Sequence, residues 1–163
     1  MLSKIKRFFE IKELCKQGVM LVKPYYIEYS NMIKVNGVCY IGPHFYCSAK
    51  GGVNIGENVI IGPKCNIWTY NHNFKYPEMI PYGGDDILKP VVIHDHVWIG
   101  LNVTILPGTT IGKGAIISAG SVVRGEIKAL SIMAGNPAEV VGYRNEADFH
   151  VNEMKNNFYL RKK

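Results

Sequence analysis

The chain has 163 residues and a mass of 18.3 kDa, which is enough for one well-buried domain and too little for two. Hydrophobic residues make up 47% and charged residues 20% of it, a composition that excludes a disordered chain. The net charge of +6 divides into +4 over residues 1–34, zero over 35–123 and +2 over 124–163, which argues against a continuous basic surface for nucleic acid. A phosphate-bearing small molecule, or an anionic membrane surface near one end, fits this distribution better.

The longest apolar run near the beginning of the chain is Val19–Val22, which lies between Lys16 and Lys23. A transmembrane helix needs roughly 20 apolar residues and the core of a secretory signal roughly 7, so the sequence predicts neither. We therefore expect a cytoplasmic protein, with the inner face of the membrane as a further location if the basic N-terminus contacts lipid.

The four cysteines form no CxxC pair; they are Cys15, Cys39, Cys47 and Cys65. An intracellular chain of this size gains little from disulfides. The cysteines are therefore predicted to be structural thiols rather than metal ligands or a redox pair.

Residues 1–34 are predicted to form an N-terminal helical cap. Leu2–Gly18 has a rough apolar stripe through Ile5, Phe8 and Phe9, although lysines interrupt it. Solenoid proteins need a cap over each open end, so packing of this helix onto the first coil is the favoured interpretation. A basic interfacial helix lying on a membrane is the alternative.

An internal repeat of six residues determines the predicted fold. Aliphatic residues recur at this interval at Ile55, Ile61, Ile67, Ile93, Ile99, Ile105, Ile111, Ile117 and Val123. The next position is often small, as at Gly56, Gly62 and Gly100. A period of six fits neither a helix nor a long strand, but it fits a short strand followed by a corner. The sequence therefore predicts an all-β solenoid, a parallel β-helix over residues 35–142 in which three hexads close one triangular coil.

The repeat is interrupted twice. Ile41 and Ile55 lie 14 residues apart, two more than two hexads, so Gly51-Gly52 is predicted to form a bulge or a widened corner. Ile67 and Ile93 lie 26 residues apart, and residues 73–90 between them contain three prolines and no hexad pattern. A long loop extruded from a rigid solenoid is uncommon unless it serves a functional site.

The C-terminal segment differs from the repeat. Gly135-Asn136-Pro137 is predicted to end the coils, and residues 143–163 to form a helical tail, with a short polar helix over Glu146–Leu160.

His72 is the candidate catalytic residue, because it lies where the regular coils give way to the loop. A coil surface beside a loop forms a natural cleft, and imidazole is the side chain best suited to accept a proton near neutral pH. The flanking Asn71 and Asn73, together with Tyr82 and Asp85 in the loop, are candidate substrate-binding residues. Amides, aromatic rings and carboxylates are the groups that a sugar ring with many hydroxyls requires.

Two further features have structural and functional interpretations. His94 and His96 are spaced so that they could share a metal ion, but no third ligand is evident, and we predict no metal site.

Trp98 follows an inward-facing valine and should point outward, where it would contact a ligand or another subunit. A packing role for Trp98 is equally compatible with the pattern.

Several motifs in order resemble those of the left-handed β-helix acyltransferases. They are Lys89-Pro90-Val91-Val92-Ile93, Val97-Trp98-Ile99-Gly100, Val103 to Gly108, Ser118 to Val123 and Ala134-Gly135-Asn136-Pro137-Ala138. The chain is most similar to O-acetyltransferases of bacterial surface polysaccharides, near the maltose and galactoside acetyltransferases. The resemblance covers about residues 38–143.

This resemblance implies left-handed coils, a homotrimer, and acetyl-CoA bound in the groove between neighbouring subunits. It identifies His72 as the general base that activates a sugar hydroxyl, and Trp98 as a residue lining the cleft. Gly100, Leu101 and Ala119 would contact the pantetheine arm, and Arg124 the nucleotide end. The segment Arg124-Gly125-Glu126 departs from the usual Thr-Lys-Asp of the family. There are three alternatives. The first is an enzyme of the same fold that acts on an antibiotic, an amino sugar or another small acceptor. The others are a relative of γ-class carbonic anhydrase and a non-catalytic scaffold.

Overall fold

The computed structural model describes residues 11–76 and 78–162, in which short strands joined by corners wind into stacked triangular coils. The strands of the coils lie in three sheets, which we call A, B and C. Sheet A contains β1 (Val19–Leu21), β4 (Cys39–Ile41), β7 (Val59–Ile61), β12 (Trp98–Ile99), β15 (Ile116–Ile117), β18 (Ser131–Gly135) and β19 (Ala138–Tyr143). Sheet B contains β2 (Tyr25–Glu28), β5 (Phe45–Ser48), β8 (Asn66–Trp68), β13 (Thr104–Ile105) and β16 (Val122–Val123). Sheet C contains β3 (Ile33–Val35), β6 (Val53–Ile55), β11 (Val91–Ile93), β14 (Thr110–Ile111) and β17 (Glu126–Ile127).

Successive coils pair in parallel and in register, so equivalent residues of the hexads stack above one another. In sheet A, Ile41 pairs with Ile61, Ile61 with Ile99, and Ile99 with Ile117. All four side chains are buried in the interior of the prism, together with their counterparts in the other two sheets. The predicted left-handed β-helix of hexapeptide repeats is thus confirmed.

The glycine that follows the inward aliphatic residue permits close stacking of the corners. A Cβ atom added at Gly100 would lie 2.8 Å from the backbone nitrogen of Ala119 in the next coil, which is closer than real contacts allow. The short distance between adjacent coils therefore requires a small residue at the second position of the hexad.

The solenoid begins earlier than the sequence analysis placed it. β1, β2 and β3 pair in parallel with β4, β5 and β6, so a complete coil starts at Val19 within the segment predicted as the 1–34 cap. Leu21 and Ile27 are six residues apart, but Val22 and Glu28 follow them instead of glycine, and this hides the repeat. The boundary predicted at residue 35 is corrected to Val19.

Helices lie at both ends of the described chain. Residues 11–16 are helical (α1), and Leu14 of this helix is buried in the core cluster of the first coils. Residues 1–10, and with them most of the predicted Leu2–Gly18 helix, lie outside the described residues. After the antiparallel β18–β19 hairpin, the chain forms α2 (Glu146–Met154) and a 3-10 helix (Tyr159–Lys162), and a further 3-10 helix (Ser30–Met32) lies in the first coil.

The predicted loop leaves the solenoid as an antiparallel hairpin of two short strands, β9 (Tyr70–Asn71) and β10 (Ile87–Leu88). The hairpin starts at the corner where sheet B turns into sheet C, after β8, and the chain returns to sheet C at β11. Across the described ranges, no helix has the length and apolar character needed to cross a bilayer.

Candidate functional site

Thr69 anchors the base of the hairpin to the coil below. Its side chain is buried, and its hydroxyl donates to the Ser48 carbonyl oxygen at 2.8 Å while accepting from the Gly51 N–H at 2.8 Å. The carbonyl oxygen of Thr69 accepts from the Lys89 N–H at 2.9 Å, which closes the base of the hairpin. The side chains carried by the hairpin therefore project from a fixed base.

The pairing of the hairpin brings His72 and Asp86 together. Tyr70 pairs with Leu88 and Asn71 with Ile87, so the next two residues of the antiparallel register are His72 and Asp86. The Nδ1 atom of His72 lies 2.7 Å from Oδ1 of Asp86, which is a short hydrogen bond.

Lys50 binds the other oxygen of the same carboxylate. Its Nζ atom lies 2.6 Å from Oδ2 of Asp86 and 5.3 Å from the centre of the Tyr70 ring. The hydrogen bond from Lys50, followed by that from His72, lowers the pKa of Asp86, and the same bond to Asp86 raises the pKa of Lys50. Asp86 is therefore an ionised carboxylate at neutral pH, held between a lysine and a histidine.

The charge of Asp86 fixes the tautomer of His72. An ionised carboxylate can only accept hydrogen bonds, so Nδ1 of the imidazole carries the proton that bridges to Oδ1. In the neutral ring, Nε2 then has a free lone pair. His72 is an exposed side chain, so this lone pair is available to a proton donor from solvent or substrate.

Aromatic rings surround the imidazole. The Tyr82 ring stacks on it with a centroid separation of 4.0 Å and an interplanar angle of 10°, and Tyr70 meets it edge-on at 6.0 Å. Trp68 stacks on Tyr70 at 5.4 Å and on Tyr46 at 5.4 Å, which continues a row of rings along sheet B. Aromatic contacts thus restrict the orientation of the His72 ring on more than one side.

The other substrate-binding candidates lie on the same hairpin but do not all face a ligand. The side-chain oxygen of Asn71 accepts from the His72 N–H at 2.9 Å, and that of Asn73 accepts from the Lys75 N–H at 3.2 Å. These oxygens therefore shape the loop, while the two amide NH₂ groups are the donors that a substrate could use. The carboxylate that contacts His72 is Asp86, and its neighbour Asp85, the predicted substrate-binding residue, is exposed.

The candidate cofactor-binding residues lie at a different corner, where sheet A turns into sheet B. Trp98 is 51% exposed and Leu101 49% exposed, and Ala119 is also exposed. Gly100 and Ala119 are in direct contact between adjacent coils, and the Gly120 N–H donates to the Leu101 carbonyl at 2.8 Å. We call Trp98, Gly100, Leu101 and Ala119 the Trp98 surface. The outward orientation predicted for Trp98 is confirmed.

Arg124 does not belong to the Trp98 surface. It follows Val123, which pairs with Ile105, and Ile105 pairs with Ile67 just before the hairpin. Arg124 is therefore exposed on the corner from which the hairpin projects, two coils further along the prism. The strands of sheet B lie between this corner and the Trp98 surface, so the two groups of candidate residues are separated within one protomer.

The C-terminal tail covers the third corner and borders an open cavity of about 590 Å³ against sheet A. His96 and Trp98 line this cavity, and the His96 ring stacks on Phe158 at 4.5 Å. His72 does not line it. Arg144 also lies there, where its Nε donates to the Gly114 carbonyl at 2.6 Å and burial lowers its pKa. His96 has a structural role in holding the tail, and the described residues contain no group of three potential metal ligands.

Comparison with known proteins identifies the family. The model of bacterial transferase hexapeptide repeats, with six repeats, matches residues 90–125. The galactoside O-acetyltransferase of Escherichia coli (strain K12) is 32% identical over 148 residues, an alignment that covers 89% of this chain and 72% of that protein. This chain is a hexapeptide-repeat acetyltransferase.

Two further proteins similar to this acetyltransferase are described by a named activity or a bound ligand. The E. coli (strain K12) protein named "Putative lipopolysaccharide biosynthesis O-acetyl transferase WbbJ" is 37% identical over 122 residues, which cover 71% of this chain and 59% of that protein. A galactoside acetyltransferase solved in complex with coenzyme A superposes with a TM-score of 0.71 at 31% identity, covering 81% of this chain and 66% of that chain.

From the sequence alone, no role was assigned to three residues of this site in the acetyltransferase: Lys50, Thr69 and Asp86. Pairing the residues on either side of the loop as a hairpin, Tyr70 with Leu88, would have placed His72 opposite Asp86. Lys50 gives a weaker signal, since it lies beside the Gly51-Gly52 interruption but carries no motif of its own.

Proposed function

We propose that this acetyltransferase uses acetyl-CoA to acetylate a sugar hydroxyl in the biosynthesis of a surface polysaccharide, by direct transfer with His72 as general base. The single observation that carries the proposal is the bond between His72 Nδ1 and Asp86, which leaves Nε2 free on an exposed imidazole. The relation to WbbJ and to galactoside O-acetyltransferase supports a sugar acceptor and a role in surface polysaccharide.

In this mechanism the thioester supplies an activated acetyl group, so no covalent enzyme intermediate is needed. The acceptor oxygen attacks the thioester carbonyl carbon while Nε2 of His72 takes the hydroxyl proton. The new C–O bond forms, the C–S bond breaks, and the imidazolium returns the proton to the departing thiolate. Asp86 stabilises the imidazolium through the Nδ1 bond and keeps the ring in its orientation.

We propose that the donor binds along the Trp98 surface. Trp98 and Leu101 expose about half of their surface there, which offers an apolar face to a pantetheine arm. Arg124, on the same corner as the hairpin but two coils further along the prism, would contact the nucleotide phosphates. Arg144 is engaged by the Gly114 carbonyl within the tail, so it is a weaker candidate for this contact than Arg124.

The separation of His72 from the Trp98 surface supports a homotrimer with active sites between subunits. One protomer holds the two groups of residues on different corners of a rigid prism, so a neighbouring protomer must bring the complementary corner to complete a site. Buried free thiols and the use of acetyl-CoA fit a cytoplasmic enzyme.

On the acceptor side, Tyr82 and the amide groups of Asn71 and Asn73 would contact the sugar, with Asp85 accepting from its hydroxyls. Tyr82 has one face on the imidazole and is otherwise exposed, so it can place an apolar sugar face beside Nε2.

The test is the His72→Ala variant, assayed for acetyl transfer to a panel of nucleotide sugars, oligosaccharides and amino sugars. We expect kcat to fall by roughly 10²–10⁴, with the affinity for coenzyme A retained in a calorimetric titration. His94→Ala is the matched control, since His94 is an exposed histidine on a different corner. Turnover by His72→Ala close to that of His94→Ala would remove His72 from the role, and transfer only to amino sugars would change the acceptor class.

A mixing experiment tests the site between subunits. His72→Ala and Trp98→Ala proteins, each impaired alone, are unfolded together and refolded as mixed oligomers. If one site uses His72 from one protomer and Trp98 from another, some sites in the mixture contain both intact residues and activity rises above that of either variant. No rise in activity in confirmed mixed trimers would contradict shared sites.

A further inference from the structure

Lys50 enters the site from a rigid part of the solenoid rather than from the hairpin. Ala49 before it is fully buried, and the N–H of Gly51 after it donates to the Thr69 hydroxyl at 2.8 Å. The lysine side chain therefore has a fixed starting point on the coil below His72. From there it spans to Asp86 on the returning limb of the hairpin, 36 residues further along the chain.

The two oxygens of Asp86 are held from opposite parts of the molecule. Oδ1 accepts from His72 on the outgoing limb of the hairpin, at 2.7 Å, and Oδ2 accepts from Lys50 on the coil, at 2.6 Å. A carboxylate bound at one oxygen alone can rotate about its terminal torsion, whereas one bound at both oxygens is fixed in plane. Lys50 thus links the rigid coil to the carboxylate that orients the imidazole.

We propose that Lys50 is a positioning residue for acetyl transfer, which holds Asp86 so that His72 keeps its proton on Nδ1 and presents Nε2 to the acceptor. The inference rests on the proposed role of His72 as the base. Lys50 and His72 bind different oxygens of the Asp86 carboxylate, so the effect of Lys50 on the imidazole passes through Asp86.

Without the ammonium group, Asp86 is free to turn its carboxylate toward water, because its side chain is one-fifth exposed. The imidazole then loses the acceptor that fixes its tautomer, and a fraction of the rings carries the proton on Nε2, where the base must be free. The expected loss is in the chemical step. The Trp98 surface lies on another corner, so the interaction with the donor is unchanged.

The experiment compares Lys50→Met, which keeps the aliphatic stem, with Lys50→Arg, which keeps a charged donor. Lys34→Met is the matched control, because Lys34 is an exposed lysine of sheet C with no ion pair among the described residues. We expect Lys50→Met to lower kcat by about 10- to 100-fold with an unchanged KM for acetyl-CoA, Lys50→Arg to retain most activity, and Lys34→Met to match the wild type.

Long-range ¹H–¹⁵N spectra of histidine-labelled protein show which ring nitrogen of His72 carries the proton. A merely structural role of Lys50 would leave these spectra unchanged. We expect the wild-type His72 ring to show the Nδ1–H form, and Lys50→Met to show a mixture of the two tautomers. In an Asp86→Ala background, Lys50→Met should have no further effect on kcat, since the lysine acts through the carboxylate.

Unchanged kcat in Lys50→Met overturns the inference, as does a loss of kcat with the Nδ1–H form fully retained or a further loss in the Asp86→Ala background. These outcomes are distinct from a failure of the proposed function. If His72→Ala keeps its turnover, His72 is not the base, yet the change of tautomer in Lys50→Met would still be measured.

Discussion

Gly51 lies where the corner of one coil meets the base of the hairpin, and the structure predicts the effect of adding a single methyl group there. A Cβ atom at this position would lie 2.2 Å from the carbonyl oxygen of Thr69 and 3.1 Å from the backbone nitrogen of Lys89. Both are backbone atoms, which cannot rotate away as a flexible side chain could. Gly51→Ala must therefore move the corner away from the hairpin by about 1 Å to restore ordinary contact distances.

The magnitude follows from the hydrogen bonds that this displacement breaks. The Gly51 N–H donates to the Thr69 hydroxyl at 2.8 Å, and the Lys89 N–H donates to the Thr69 carbonyl at 2.9 Å. Each bond contributes about 1 kcal/mol net, and a buried group left unpaired costs about 1–3 kcal/mol. The smaller entropy of the unfolded alanine chain offsets about 0.4–1 kcal/mol of this. We expect the free energy of unfolding to fall by about 2–5 kcal/mol.

Urea unfolding followed by circular dichroism measures this loss, with Gly142→Ala as the control. A Cβ atom at Gly142 would meet only the side-chain Cδ1 of Ile132 at 3.8 Å, an ordinary contact, so this variant should be neutral or slightly stabilising. Gly51→Ala should also lower acetyl transfer, because the hairpin carries His72 and Asp86. Equal midpoints for the two variants would refute the argument from close approach.

Two further predictions concern the thiols and the C-terminal tail. Burial raises the pKa of Cys39 and Cys47 to about 12 and that of Cys65 to about 11, so only the exposed Cys15 should react with a disulfide reagent at pH 8 until the chain is unfolded. More than one reactive thiol per folded chain would contradict this. Burial lowers the pKa of His96 and the Lys113 hydrogen bond lowers that of Glu153, so both groups bind protons more readily in the unfolded chain and the folded chain loses stability as the pH falls. His96 therefore destabilises the folded chain increasingly below pH 6.5, the ordinary pKa of histidine. The thermal midpoint should fall from pH 7 to pH 5, and it should fall less steeply in His96→Asn. Equal slopes in the two proteins would exclude His96 as the cause.

The sequence predicted those parts of the fold in which a single structural requirement determines the residue type at each position of the repeat. An aliphatic residue every sixth position points into the prism, and a glycine after it lets adjacent coils stack, so the coils from Ile55 onwards could be recognised. The first coil was missed because Leu21 and Ile27 keep the aliphatic period without the following glycine. Burial of the inward residue is thus the stricter requirement, and the small neighbour varies with the local shape of the corner.

The candidate site was predictable as a location but not as a set of contacts. His72 could be selected from its place beside the loop, whereas its partner depends on how the two limbs of the hairpin pair across 14 residues. A shift of one residue in that register would bring Asp85 opposite His72 instead of Asp86. Nothing in the composition of the loop decides between these registers, since the deciding bonds are those of Thr69 and Lys89 at its base.

Interruptions of the hexapeptide repeat gather at one corner of the prism, where the first coil also has two extra residues: Ile27 and Val35 pair with Cys47 and Ile55, and each pair of positions is eight residues apart. Gly51-Gly52 interrupts the second coil and the hairpin interrupts the third, each with two residues beyond a whole number of hexads. Because β6 and β11 pair in register directly after them, the widened corner lies against the base of the hairpin. The widened corner at Gly51-Gly52 therefore makes room for the hairpin, and the same corner supplies Lys50. A regular coil presents each side chain above its equivalent in the next coil, whereas the widened corner and the hairpin bring together residues that are not equivalent in the repeat: Lys50, His72 and Asp86. We infer that the departures from the repeat at this corner are what allow a rigid prism to hold a catalytic group.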